Sequence, residues 1–542
     1  MAAYTLTKGG ARVVLLEAGP PWYATKDSKM LFPEYASPRR GKGSKYKPFG
    51  EFDGCIGGWD IEGEPYTRAP GTTFDWWRAR MLGGRTNHWG RISLRFGPDD
   101  FRGKSRDGLG DDWPIGYSDL APYYDQVDEL IGIFGSAEGL PNHPDGKFQP
   151  PPKPRCYELM IKQACDNLGV TCIPSRLSIL TKPIHGRMAC HYCGQCGRGC
   201  GVAANFSSPD VLIAPALKTG RLTLITNAMA REVIVGKDGL AEGVSYVDKT
   251  TGQERTVRAK VIVLAASACE SARILLNSKS AQFPNGLANS SGVVGKYLTD
   301  TTGAGVGGFI PKMMDHVDHN EDGAGGAHIY SPWWIDNKKL DFPRGYHIEM
   351  GGGLGAPGYG FMGGIQEYPS GGGYGKQLKA DYRMYYGASV YFSGRGEMIP
   401  NADSYCEIDP QVVDKYGIPV LRFHWKWSDH EYLQVKHMQE TFRALIADMG
   451  GQVFDPMPSK EDGYGIAAGG RIIHELGCVR MGADPNTSVL NANCQAHDCK
   501  NLFVADGGPF VSQADKNPTW TILALSMRTS EYILAQRAGG AI

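Results

Sequence analysis

The stretch CHYCGQCGRGC, Cys190 to Cys200, places four cysteines at the spacing C-x2-C-x2-C-x3-C. Neither a helical nor a strand period suits such a run. It must fold back on itself around something compact, and Gly194, Gly197, Gly199 and Gly201 supply the backbone freedom and the N–H groups for that. Bacterial ferredoxins hold a cubane iron–sulfur cluster with this spacing, although Gly201 stands where a proline usually follows. A four-thiolate zinc site normally joins two separated C-x2-C halves, and disulfides within so tight a run are strained. The spacing thus favours a cluster held by Cys190, Cys193, Cys196 and Cys200, with zinc, disulfides or free thiols as the rival readings. The other cysteines, Cys55, Cys156, Cys165, Cys172, Cys269, Cys406, Cys478, Cys494 and Cys499, follow no motif spacing and read as buried or incidental thiols.

A chain of 542 residues exceeds one simple core, so two or three domains or an interleaved pair are expected. Lys+Arg and Asp+Glu both number 57, which gives no basis for electrostatic capture of nucleic acid or of an anionic membrane. No window approaches the length of an apolar transmembrane run, and the N-terminus lacks the basic start and apolar stretch of a signal peptide. The chain is therefore expected neither to span a membrane nor to export itself. Glycine-rich runs between Gly303 and Gly375 (GAGVGGF, GGGLGAPGYGFMGG, SGGGYG) predict loops there rather than long helices.

Near the start, MAAYTLTKGG is helix-compatible and ARVVLLEAGP is an apolar run ending in an acid. In a dinucleotide-binding fold the second strand ends in an acidic residue that accepts hydrogen bonds from ribose hydroxyls. Glu17 either takes that role or is a surface glutamate after an ordinary strand. The first strand and its G-x-G-x-x-G turn are expected to be missing from the chain as written, so that either the natural product is longer or the pyrophosphate site is incomplete.

Two long stretches, RMLGGRTNHWGRISLRF (Arg80 to Phe96) and the block from His474 to Ile533 that opens HELGCVRMG and contains VADGG and KNPTW, resemble the glucose-methanol-choline (GMC) oxidoreductases, a family of FAD enzymes. VIVLAASACESARILLNS (Val261 to Ser278) is similar to that family's strand and helix crossing the flavin domain. Within the family the resemblance is to the bacterial glucose, fructose, gluconate and glycoside 3-dehydrogenases and to pyranose oxidases. It implies a mixed α/β chain with a Rossmann-like FAD-binding domain discontinuous over 1–149, 202–300 and 470–542. An iron–sulfur insertion at 150–201 and an antiparallel-sheet substrate domain at 301–469 complete the expected layout. Toward the cofactor it implies Gly83, Gly84, Asn87 and His88 in the flavin loop, Val233 and Ala265 in the middle segment, and Asp506 and Gly507 in a flavin-contacting turn. Pro518 and Thr519 would open the last helix, whose N-terminal dipole favours anionic reduced flavin. His88 either carries a covalent bond to the flavin, as in some members, or packs beside noncovalent FAD. Trp76 and Trp77 would line a pocket or lie in the core beside the flavin.

Oxidising an alcohol on a flavin moves a hydride from carbon and a proton from oxygen, and the proton needs a base that is neutral near pH 7. The resemblance makes His474 that base and Asn517, 43 positions downstream, its companion, an amide that orients the hydroxyl. It also implies a three-cysteine cluster set, Cys190, Cys196 and Cys200, with Cys193 as a fourth ligand, so a 3Fe-4S or a 4Fe-4S cluster. A small partner subunit and a cytochrome c or other acceptor would then take the electrons, and the chain would be periplasmic by co-export with that partner, or cytoplasmic. The expected activity is FAD-dependent dehydrogenation of a sugar or glycoside hydroxyl. The rival readings are an O2-using sugar oxidase and a non-catalytic or truncated flavoprotein.

Overall fold

The computed structural model describes residues 1–33, 43–45, 47–314, 323–332, 340–353 and 374–540. It opens on helix α1 (Ala2–Lys8) and strand β1 (Val13–Leu16), followed by helices α2 (Tyr117–Ile131) and α3 (Cys156–Asn167). Next come β2 (Leu222–Ile225), β3 (Ala228–Val235), β4 (Ala241–Asp248), β5 (Glu254–Arg258), β6 (Ile262–Leu264) and α4 (Ala268–Asn277). Then follow β7 (Thr302–Phe309), β8 (Tyr346–Gly352), β9 (Ser389–Gly396), β10 (Tyr405–Val413), β11 (Pro419–His424) and α5 (Asp429–Asp448). The chain closes with β12 (Gln452–Val453), β13 (Leu502–Val504) and α6 (Thr519–Ala538).

Two short parallel pairs, β1 with β2 and β6 with β13, form the α/β part. Their Val/Ile/Leu-rich sequences suit parallel strands whose faces are covered by helices. Leu6 of α1 packs with Phe503 of β13 and Ile533 of α6. Ala3 packs with Leu82 and with Leu222 of β2. Strands β3, β4 and β5 form an antiparallel meander beside this layer.

The second layer is an antiparallel sheet in the order β8-β9-β7-β12, with α5 laid across it. Val435, Met438, Phe442 and Leu445 of α5 meet Val306, Ile348, Val390 and Phe392 of the sheet, as the apolar face of an amphipathic helix should. Tyr157, Ile161 and Cys165 of α3 join the same core. GAGVGGF, expected as a loop, is instead strand β7. Its glycines make room for neighbours: a Cβ on Gly305 would lie 2.1 Å from the Tyr391 hydroxyl, and one on Gly307 would lie 2.8 Å from the Phe454 ring. The runs GGGLGAPGYGFMGG and SGGGYG fall largely outside the described residues. No described helix is long and apolar enough to cross a membrane.

Candidate active site

His474 and Asn517 lie together where the two layers meet. The His474 backbone N–H donates to Asp300 Oδ1 at 3.0 Å, and that of Ile472 donates to Oδ2 at 3.3 Å, so one buried carboxylate fixes the loop that carries the imidazole. Burial, with Glu475 nearby, pushes Asp300 up to about 7. His474 Nδ1 lies 2.8 Å from Thr301 Oγ1, which also accepts from Gln513 Nε2 at 2.6 Å. Asn517 Nδ2 lies 3.3 Å from His474 Nε2. The consistent tautomer carries its proton on Nδ1, donating to Thr301, and leaves the Nε2 lone pair toward Asn517. Burial first, then the Arg395 guanidinium, lowers His474 to about 3, so the ring is neutral at pH 7.

The antiparallel sheet delivers three further groups that sequence reasoning missed. Glu349 Oε1 accepts from Asn517 Nδ2 at 3.2 Å and lies 3.4 Å from His347 Nε2, while Arg395 Nη2 lies 2.8 Å from Glu349 Oε2. Burial alone would raise Glu349, but Arg395, His347 and Asn517 hold it well below the ordinary carboxylate range. His347 and Glu349 share one face of β8, and His347 stands opposite Arg395 of β9. Two polar residues at a spacing of two, between apolar Tyr346, Ile348 and Met350, were the signal that could have found them.

In the loop that the family resemblance assigns to the flavin, Gly83 takes φ +90°, and a Cβ there would stand 2.4 Å from the Pro209 ring. Gly84 opens the short turn Gly84–Asn87. Asn87 Nδ2 donates to Leu82 O at 2.9 Å, while its buried Oδ1 has no partner. Trp77, buried, donates from Nε1 to His88 Nε2 at 3.2 Å, whereas Trp76 is a core residue set edge-on to Phe423 and Tyr66. Burial, then Arg91 and Arg85, lower His88 to about 3. A flavin bond through Nε2 would have to displace Trp77. Arg85 pairs bidentately with Glu475, the residue after His474, and so ties this loop to the imidazole.

The remaining sequence-assigned positions lie at strand ends. Glu17 follows β1, Ala265 follows β6, and Asp506 and Gly507 lie just past β13, at the carboxyl ends where open α/β sheets bind ligands. Burial raises Glu17 to about 7 against a hydrogen bond from Gly19 N–H. Asp506 accepts from Ser271 Oγ at 2.5 Å, Gly508 N–H at 2.7 Å and Ser267 N–H at 3.1 Å, which joins the ends of β6 and β13. A Cβ on Gly507 would reach 2.7 Å from Leu476. Pro518 caps α6 and Thr519 begins it, so that helix's amide end starts directly after Asn517. Val233 is different: it is buried in the β3–β4 ladder and its N–H donates to Ser278 Oγ at 2.8 Å, so that N–H is not free for an adenine. The exposed Ala265, the orphaned amide oxygens of Asn87 and Asn517, and the acids at the strand ends suit a flavin dinucleotide.

The four cysteines share one neighbourhood, but among the described residues no three of their sulfurs lie within 4.8 Å of one another. Burial first, then Cys196, Cys200 and Cys193, push Cys190 up to about 12. Gly54 N–H donates to Gly197 O at 2.8 Å, Ser28 Oγ donates to Gly199 O at 2.6 Å, and Cys193 bridges Gly323. Gly325 has no room for a Cβ, which would lie 2.5 Å from Cys196 Sγ. Arg91, buried at φ +61°, donates from Nη2 to Asn87 O at 2.8 Å and from Nη1 to Trp89 O, the carbonyls flanking His88. Burial lowers its pKa, and the neighbouring Cys196 and Cys200 oppose that. Arg91 is thus a buried cation near Cys196 and Cys200 whose Nε has no partner, a charge that would complement thiolates there.

Two family models, each described as GMC oxidoreductase, match residues 63–302 and 400–526. The chain is 30% identical over 97% of its length to a 2-methyl-1,2-propanediol dehydrogenase of Mycolicibacterium austroafricanum, covering 92% of that protein. It is 25% identical over 84% of its length to the fructose dehydrogenase large subunit of Gluconobacter japonicus, covering 80% of it. The solved structure of an Aspergillus oryzae RIB40 formate oxidase matches with a TM-score of 0.64 at 12% identity, over 99% of this chain and 96% of that one, a likeness of fold.

Proposed function

The chain belongs to the GMC oxidoreductase family, FAD-dependent enzymes acting on CH–OH groups, and from that premise we propose that it dehydrogenates a hydroxyl of a sugar or glycoside and passes the electrons to an external acceptor. The observation that carries this reading is the contact of His474 Nε2 with Asn517 Nδ2, backed by Glu349 and Arg395. FAD, when bound, accepts the hydride from the alcohol carbon. His474 takes the hydroxyl proton on Nε2 and holds it there, while Thr301 keeps the Nδ1–H in place. The Asn517 amide orients the hydroxyl oxygen and stabilises its developing negative charge. Glu349 and Arg395 offer an acceptor and a donor to neighbouring hydroxyls, which suits a polyhydroxy substrate better than a simple alcohol. The loop 83–88, Glu17, Ala265, Asp506 and Gly507 would hold the FAD, and the amide end of α6 would face its reduced form.

Cys190, Cys193, Cys196 and Cys200 would hold an iron–sulfur cluster, which supplies one-electron transfer. Arg91, hydrogen-bonded to the flavin loop and set against Cys196 and Cys200, supports an exit at this end of the molecule. Similarity to the fructose dehydrogenase large subunit supports a partner subunit, with a cytochrome or another acceptor beyond it.

The test is an anaerobic visible spectrum of the FAD-loaded chain before and after a panel of sugars, glycosides and small diols. Bleaching of the flavin bands by a sugar or glycoside is expected, and bleaching by a simple diol alone would overturn the substrate class. In His474→Ala the flavin bands should persist while reduction slows about a hundredfold or more. Unchanged reduction would remove His474 from the chemistry.

A further inference from the structure

Three of the cysteines that follow no motif meet in the core. Cys269 lies in the first turn of α4, Cys406 in β10, and Cys478 four residues beyond His474, and each is at most 1% exposed. Their sulfurs all lie within 4.8 Å of one another, and the Cys406–Cys478 pair is 3.8 Å apart. The Cys406 thiol donates to Cys478 Sγ. Three thiolates around one ion at about 2.3 Å in a trigonal plane stand about 4.0 Å apart, a triangle of this size.

The surroundings hold the triangle together. Cys406 N–H donates to Gly295 O at 2.9 Å, Gly295 N–H donates to Cys478 O at 2.7 Å, and Cys478 N–H donates to Lys296 O at 3.2 Å. Gly295 takes φ +89°, and a Cβ there would lie 2.1 Å from Cys406 O, so only glycine lets these backbones close. The Lys296 ammonium lies 3.3 Å from the Tyr405 ring centroid, beside Cys406, where it favours the thiolate, while Arg85, near Cys269, is already paired with Glu475.

We propose that Cys269, Cys406 and Cys478 form a three-thiolate site for a soft d10 cation of the zinc(II) or copper(I) class. Each thiol gives up its proton to solvent as its sulfur–metal bond forms. No electron moves, and a divalent ion leaves a net charge of minus one facing Lys296. The ion enters as the chain folds, because its ligands come from three segments far apart in sequence, and its binding energy then clips α4, β10 and the His474 loop together. This is distinct from the Cys190–Cys200 segment, whose ligands are contiguous.

The test is elemental analysis of the intact chain after dialysis against a chelator, with X-ray absorption at the zinc and copper edges. About one such ion per chain is expected, with a first shell of three sulfurs and no nitrogen. In Cys406→Ser and in Cys478→Ser that ion should fall below about a tenth of its level, while Cys196→Ser and Cys494→Ser keep it. A chain holding neither zinc nor copper overturns the proposal. So does an ion lost in Cys196→Ser but kept in Cys406→Ser, or a Cys406–Cys478 disulfide in the intact mass. Should the serine variants not fold, the sulfur count at the metal edge of the unaltered chain decides: four sulfurs or any nitrogen ligand overturns it.

Discussion

Single residues set the chemistry through burial. His474 is lowered to about 3 because its ring is buried and faces Arg395. A base that stays neutral puts no acid limb on the rate of flavin reduction between about pH 5 and pH 8. Stopped-flow reduction across that range should be flat, and a rate falling tenfold per unit below pH 6.5 would mean an ordinary imidazole. The same depression affects stability with a definite sign. The folded value lies below that of the unfolded ring, so the stabilisation is complete above about 6.5 and is lost as pH falls toward about 3. Glu349 gives a second prediction. Glu349→Gln removes an acceptor for substrate hydroxyls, so kcat/KM for a sugar should fall about tenfold or more while a simple monoalcohol loses little. An equal loss for both would place its effect on His474 alone. The family-like motifs flanking His474 and Asn517 drew both from the sequence, and the structure places them 3.3 Å apart. Glu349 and Arg395 sit on strands of unremarkable local composition, and only pairing brings them to the imidazole.

Among the elements, the parallel pairs and the amphipathic α5 follow from apolar patterning, whereas the glycine-rich β7 does not. Glycine is a poor strand former in isolation, and its place here comes from neighbours that need the space of a side chain. The same holds on β9, where a Cβ at Gly394 would lie 2.4 Å from Met438 Sδ beneath α5. Gly394→Val should therefore cost about 1–3 kcal/mol by overpacking, read as a lowered Tm in calorimetry. An unchanged Tm would mean that α5 lifts freely from the sheet.

Across the whole molecule, the loop 83–88 is tied to the His474 segment by Arg85–Glu475, while Arg91, hydrogen-bonded to Asn87 O, sets its charge near Cys196 and Cys200. On the proposed cluster reading, Cys196→Ser strips the iron while sugar still bleaches the flavin. Iron retained at full stoichiometry would exclude Cys196 as a ligand, and an iron-free unaltered chain would favour direct use of oxygen. By itself the sequence carried the cysteine spacing, a local pattern, and the motifs whose resemblance to the family implied His474 and Asn517, which the structure sets 3.3 Å apart. Tertiary structure alone decided the Glu349–Arg395 cover, the Arg91 link and the meeting of Cys269, Cys406 and Cys478. These contacts join segments separated by scores of residues, so that even where a local alternation marks one partner, as at His347 and Glu349, no single run encodes the pairing. They exist because burying two apolar layers against each other leaves those side chains no other place to be.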